Sequence, residues 1–200
     1  MPDVSVIMPA YNCAGYIRGA LESVLTQNGC KIEAIIVNDG STDDTEKVLE
    51  RYLNDQRIIY IKTENKGVSH AINIGLKSAA GAYIAFLHAD DMYLQGKIKK
   101  QFSLMEKYHN CDASYTDKSY FLDGCEESAE SPYFHFSNDI FYFIKRNNFI
   151  HISTTMFRRD IFKTLALFLV QNVIDHRTST TTTSLTLSLS LTLSLSFLFV

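Results

Sequence analysis

The chain opens on a continuous apolar run, Val4 to Met8, stopped by Pro9. A run without alternation predicts a strand covered on both faces, as in a parallel sheet. From Gly15 to Asn28 the period changes: Tyr16, Ile17, Ala20, Leu21, Val24 and Leu25 recur at helical spacing, and Asn28-Gly29 supplies the stop. The alternation then repeats, with strands expected at Ala34 to Val37, Ile58 to Lys62 and Tyr83 to Leu87, and helices at Asp43 to Leu53, Val68 to Ala79 and Lys97 to Tyr108. Strand and helix in regular succession predict an α/β fold, a doubly wound and mostly parallel sheet flanked by helices.

Past Asn110 the pattern loosens into a smaller, incomplete second half. It predicts a strand at Ala113 to Tyr115, a turn at Asp123-Gly124, an aromatic stretch from Tyr133 to Phe143 read as core, a strand through Thr155-Met156-Phe157 and a helix starting near Asp160. From Thr178 to Val200 only Ser, Thr, Leu, Phe and Val occur, with leucine at every second position from Leu185 to Leu195. The chain therefore divides into a domain at 1–163, a divergent junction at 164–177 and a low-complexity tail at 178–200, expected to be disordered or irregular. The tail reads as translated simple-repeat DNA or an altered reading frame, which sequencing the transcript tests.

Composition adds limits. Two hundred residues at 46% hydrophobic and 20% charged suit one globular domain with an appendage. A net charge of −3 offers no basic field, so nucleic acid is not an expected partner, and any phosphate must be met locally by a metal or by backbone donors. Cys13, Cys30, Cys111 and Cys125 show no CxxC spacing, and no apolar signal segment precedes the first strand. They read as reduced thiols of a cytoplasmic protein.

In such a sheet ligands bind at the carboxyl ends of the strands, where strand order reverses. The first strand ends in Pro9-Ala10-Tyr11-Asn12, without a GxGxxG or a P-loop, which removes the usual dinucleotide and triphosphate cradles. The second ends in Asn38-Asp39-Gly40-Ser41-Thr42-Asp43 and the fourth in His88-Ala89-Asp90-Asp91. With strand order 3-2-1-4, Asp39 and the Asp90-Asp91 pair flank the Pro9-to-Asn12 loop across one crevice. Adjacent carboxylates favour a compensating cation, and oxygen ligands suit Mg²⁺ or Mn²⁺, which can carry a diphosphate. Asp39 is then free to accept hydrogen bonds from a base or ribose. Structural readings stand beside these: Asp39 or Ser41 caps the next helix, Asp90 or Asp91 shapes a turn, Lys66-Gly67 is a helix-entry turn, His88 is a satisfied structural histidine and Cys13 a buried filler.

Four strings in order, Val4-Ser5-Val6-Ile7-Met8-Pro9-Ala10-Tyr11-Asn12, Ile36-Val37-Asn38-Asp39-Gly40-Ser41-Thr42-Asp43, Asn65-Lys66-Gly67 through Asn73-Ile74-Gly75, and Ile84-Ala85-Phe86-Leu87-His88-Ala89-Asp90-Asp91, resemble the family 2 glycosyltransferases of the GT-A fold. The resemblance covers about 1–163 and includes Met156-Phe157-Arg158-Arg159, similar to the strand and basic pair before the family's acceptor-side segment. It implies a nucleoside-diphosphate sugar donor, most often UDP-linked, and a saccharide or lipid-linked acceptor in polysaccharide biosynthesis. It also implies inversion and metal dependence, and leaves association with a membrane surface open. The residues it marks for the nucleotide sugar are Pro9, Ala10, Tyr11, Asn12, Asp39, Lys66 and Asp90, with Asp90 and Asp91 for the metal.

The chain departs from that pattern in identifiable places. His88 stands where the family carries a first carboxylate, and Ile72 where it carries arginine. The segment that would hold the family's base is here Leu165 to Arg177, with Asp175 as its single carboxylate, so no catalytic residue is assigned. Beside an active transferase stand two alternatives: an inactive, truncated nucleotide-sugar-binding module, and a metal-dependent nucleotidyltransferase.

Overall fold

A computed structural model describes residues 1–122, 125–127, 151–164 and 197–199. The strands are β1 (Val4–Ala10), β2 (Ile32–Asp39), β3 (Ile58–Thr63), β4 (Tyr83–Phe86), β5 (Ala113–Tyr115), β6 (Tyr120–Leu122), β7 (Cys125–Glu127), β8 (Thr155–Arg158) and β9 (Phe197–Phe199). The helices are α1 (Ile17–Leu25), α2 (Thr45–Leu49), α3 (Val68–Ser78), α4 (Lys97–Lys107) and α5 (Ile161–Thr164), with 3₁₀ turns at Glu50–Tyr52 and Ile152–Thr154. The main sheet has the order β3-β2-β1-β4-β8-β5-β9. Its first four strands are parallel in the expected 3-2-1-4 arrangement, and β8 then runs antiparallel to both β4 and β5. Strand β9, from the tail expected to be irregular, lies parallel beside β5. The turn at residues 123–124 lies outside the described residues, although β6 and β7 on either side pair antiparallel. The aromatic stretch at 133–143 lies outside them as well.

Every residue of β1 is buried, because helices cover the sheet on both sides. Val4, Val6 and Met8 point toward Ile17, Leu21 and Val24 of α1, Leu49 of α2 and Ile98 and Met105 of α4. Ile7, on the other face, packs with Ile72 of α3 and with Phe86 and Phe157. Burying a side chain such as Ile7 contributes about 2 kcal/mol relative to exposure, and a continuous apolar strand collects that on both faces. Ile72, at the position where arginine was the family pattern, is fully buried in this cluster. Gly75 explains the close seat of α3: a Cβ there would stand 2.5 Å from Cγ2 of Ile7.

One helix is shorter than expected: the segment read as a helix from Asp43 to Leu53 is α2 followed by a 3₁₀ turn. The helix expected to start near Asp160 is described from Ile161 to Thr164 as α5. No helix among the described residues is long and apolar enough to cross a membrane.

The amino end of the parallel strands is closed by a buried polar knot. Ser5 Oγ donates to Glu33 Oε1 at 2.5 Å, and the Gly81 and Ala80 amides donate to Ser5 Oγ and Glu33 Oε1 at 2.8 Å. A buried carboxylate is tolerable only with such partners.

Candidate functional site

The site lies at the opposite, carboxyl end. Parallel pairing ends with Ala10 beside Asn38 and Asp39 beside Thr63, so the loops leaving β1, β2 and β3 emerge side by side. These loops are tied together by their own polar groups. The amides of Asn12, Cys13 and Ala14 donate in turn to Ser41 Oγ at 3.0 Å, Thr45 Oγ1 at 2.9 Å and Asp43 Oδ2 at 3.0 Å. In return Asn12 Oδ1 accepts the Thr42 amide at 2.8 Å. Asp43 Oδ1 accepts the Thr45 amide at 3.0 Å, so Asp43, rather than Asp39 or Ser41, serves the start of α2. These bonds hold the Asp43 carboxyl below its usual range, the Thr45 hydroxyl contributing most.

Asp39 corrects one expectation. Its carboxylate is buried at 3% exposure, and each oxygen already accepts a backbone amide: Lys66 at 3.0 Å and Gly67 at 2.8 Å. It is not a free acceptor, although each oxygen keeps lone-pair capacity. Gly67 is the residue before α3 with φ 93°, a conformation that favours glycine, so Lys66-Gly67 is a helix-entry turn. The Lys66 ammonium stands outside, 3.4 Å from Glu64.

Around this frame the sequence-marked residues differ in exposure. Pro9 and Ala10 are buried at the end of β1, while Tyr11 is 50% exposed beside them. Cys13 is a buried filler whose thiol is pushed up chiefly by desolvation. Cys13, Cys30 and Cys111 are free thiols.

The loop after β4 leans on a different part of the chain. The Asp91 amide donates to the His88 carbonyl at 3.1 Å, closing a turn that leaves the Asp90 side chain exposed. Asp91 Oδ2 accepts Ser153 Oγ at 2.5 Å and stands 3.6 Å from Nδ1 of His151, while Ser153 Oγ also accepts the His88 amide at 3.1 Å. Ser153 and His151 were not singled out in the sequence; they reach Asp91 only because β8 follows them and pairs with β4. His88 corrects a second expectation. Its Nε2 is buried and finds no hydrogen-bond partner among the described residues; its ring tilts against that of His151 at 5.8 Å, and desolvation lowers its pKa. It is not a satisfied histidine.

The basic pair at the end of β8 is structural. Arg158 donates to the carbonyls of Cys111 at 2.7 Å and Met105 at 2.6 Å and to the Tyr83 hydroxyl at 2.9 Å, and Arg159 donates to the Ala79 carbonyl at 3.2 Å. Arg158 thereby fastens β8 to the last turn of α4, where a cation is favoured.

Among the described residues no three His, Cys, Asp or Glu groups stand close enough to cage a metal. Asp90, exposed and without a hydrogen bond or ion pair among them, and Asp91, with one oxygen engaged, offer a hard, two-carboxylate edge. That donor set fits an ion such as Mg²⁺ or Mn²⁺, which keeps waters and takes further oxygens from a substrate phosphate.

Comparison with known proteins identifies the family. Residues 5–166 match glycosyl transferase family 2. An uncharacterised glycosyltransferase of Rickettsia typhi is 35% identical over 175 residues, covering 84% of this chain and 54% of that protein. The Escherichia coli UDP-Glc:alpha-D-GlcNAc-diphosphoundecaprenol beta-1,3-glucosyltransferase WfaP is 41% identical over 128 residues, 62% of this chain and 51% of that protein. The chain thus spans about half the length of these relatives. Among solved structures, Staphylococcus aureus TarS in complex with UDP-GlcNAc superposes with a TM-score of 0.66 at 24% identity, covering 82% of this chain and 47% of that one. A Pyrobaculum calidifontis mannosyltransferase in complex with GDP-Man and Mn²⁺ superposes with a TM-score of 0.62 at 21% identity, covering 82% and 46%.

Proposed function

The chain belongs to glycosyl transferase family 2, and on that premise we propose that it binds a nucleoside-diphosphate sugar, UDP-linked, and transfers the sugar to a saccharide or lipid-linked hydroxyl in glycan assembly. The single observation that carries this reading is Asp90: an exposed carboxylate without a partner among the described residues, next to Asp91, at the carboxyl end of β4. Beside Asp91, whose Oδ2 is held by Ser153, it presents the hard oxygen donors that a cation shared with a diphosphate takes.

In this reading Pro9, Ala10, Tyr11 and Asn12 form the loop beside the nucleoside, and Asp39 takes a base or ribose donor on its remaining lone pairs. Lys66 approaches the phosphates from the rim. Asp90 and Asp91 hold Mg²⁺ or Mn²⁺, the Ser153 hydroxyl and the His151 ring keeping Asp91 oriented. When bound, the ion supplies Lewis-acid stabilisation of the departing diphosphate. The lipid-diphosphate acceptor in the name of the Escherichia coli relative and the UDP-GlcNAc bound by TarS support these substrate classes, and the family's inverting course is part of the proposal.

Calorimetric titration of the full chain with UDP, with and without Mn²⁺, tests it. Binding should require Mn²⁺ and weaken on the order of 100-fold in Asp90→Ala at unchanged melting temperature. A folded wild-type protein that does not bind UDP in either condition would sink the reading.

A further inference from the structure

Asn12 stands in the middle of the nucleoside loop, yet its side chain is turned to the protein. It is the only non-glycine residue with positive φ among the described residues, at 46°. Asparagine tolerates that region better than most residues. In this conformation its Oδ1 accepts both the amide and the hydroxyl of Thr42, at 2.8 and 3.3 Å, and its own amide donates to Ser41 Oγ at 3.0 Å. The next two amides follow into Thr45 and Asp43. The loop after β1 is thus fastened, bond by bond, to the loop after β2. That loop is fastened in turn to the one after β3 through Asp39, and to its own strand by the Ser41 amide on Asn38 Oδ1 at 2.9 Å.

We infer that Asn12 is a positioning residue for donor binding: it locks the first strand-end loop onto the second before the nucleotide arrives, and so sets where Tyr11 stands, instead of touching the nucleotide itself. The inference rests on the donor-site reading above and deepens it. A loop already held in its bound shape does not lose that freedom on binding, which strengthens affinity without adding a contact. Asn12 and Thr42 are both exposed, so the lock's share is moderate.

Three variants of the full chain separate the roles. Asn12→Gly keeps the left-handed backbone and removes the acceptor, Asn12→Asp keeps an acceptor of the same reach, and Thr42→Val removes one of its donors. UDP affinity with Mn²⁺ is read by calorimetry, and the Thr42 amide by hydrogen exchange in ligand-free protein. Asn12→Gly should weaken UDP about fivefold and speed Thr42 exchange by about tenfold, with Asn12→Asp restoring both. Thr42→Val should weaken UDP by less, and combined with Asn12→Gly it should add little, because the two act through one lock. Loss of UDP affinity in Asn12→Gly with unchanged Thr42 exchange would overturn the inference in favour of direct contact; no change in either would overturn it as well. If wild type does not bind UDP the donor reading fails, while the exchange measurement still decides whether Asn12 holds the loops.

Discussion

The two ends of the parallel sheet treat their polar groups in opposite ways. At the amino end Ser5, Glu33 and the amides of Ala80 and Gly81 satisfy one another in a buried knot. At the carboxyl end Tyr11 and Asp90 stand exposed, His88 Nε2 has no partner among the described residues, and the remaining acceptors are placed but only partly used. Saturated polar groups stabilise a fold; groups positioned without a partner leave room for a ligand. The same sheet thus separates stability from recognition along its strand axis, and each end should respond to substitution in its own way.

The largest effect belongs to the amino end. A Cβ at Gly81 would stand 2.6 Å from the Ser5 amide nitrogen and 2.9 Å from the Val4 carbonyl carbon, both backbone atoms that cannot yield cheaply. Gly81→Ala should destabilise the fold by about 3 kcal/mol or more, read by urea unfolding, while the folded fraction binds UDP as wild type does. Equal loss of stability and nucleotide affinity would show that the two ends are not separable.

A second substitution probes a charge that stability alone would not choose. Lys97, at the start of α4 beyond the Asp90-Asp91 loop, has its amine buried without a hydrogen-bond partner among the described residues, 3.9 Å over the Tyr93 ring. Desolvation lowers its pKa from 10.5 to about 7. Its folded pKa lies below its unfolded one, so the unfolded state binds the extra proton between these values and stability rises with pH across that window. Below about pH 7 both states are protonated and the full cost of the buried charge remains. Lys97→Met should therefore raise stability by about 2 kcal/mol at pH 6 and by clearly less at pH 9. An equal gain at both values would mean that the amine is not desolvated as described.

How legible these ends were in the sequence differs for a physical reason. Strands β1 to β4 and helices α1, α3 and α4 stood out because two-sided burial writes continuous apolar runs and one-sided burial a helical period. The expected order of the first four strands is the common 3-2-1-4 arrangement of doubly wound sheets, and the structure has it. The polar interactions did not stand out. Ser5 meets Gly81 across 76 positions and Asp91 meets Ser153 across 62, separations that no local period records. Asp39 and Asn12 were marked as ligand contacts because their type and place fit that chemistry, whereas their protein partners lie on other loops. One signal was available: Ser41, Thr42, Asp43 and Thr45 crowd hydroxyls and a carboxylate into a loop beside a strand end, a composition suited to binding backbone amides. Arg158 and Arg159 were marked only as a basic pair, and the carbonyls they hold, those of Cys111 and Ala79, lie 47 and 80 positions away.

The smallest effect sharpens the comparison at the rim. The ammonium of Lys66 is 3.4 Å from Glu64, with the two side chains 56% and 87% exposed, a pair of little weight for folding. Its backbone is different, because the Lys66 amide holds Asp39 and survives any side-chain substitution other than proline. Lys66→Ala should therefore leave the melting temperature within about 1 °C of wild type. If the ammonium meets the donor's phosphates through solvent, UDP binding should weaken about threefold at low salt, and the difference should close as ionic strength rises toward about 0.5 M. A loss that persists at high salt would place the ammonium in direct, desolvated contact with phosphate. No loss at low salt would confine donor recognition to the loops and the aspartates, with Lys66 contributing only the amide that fixes Asp39.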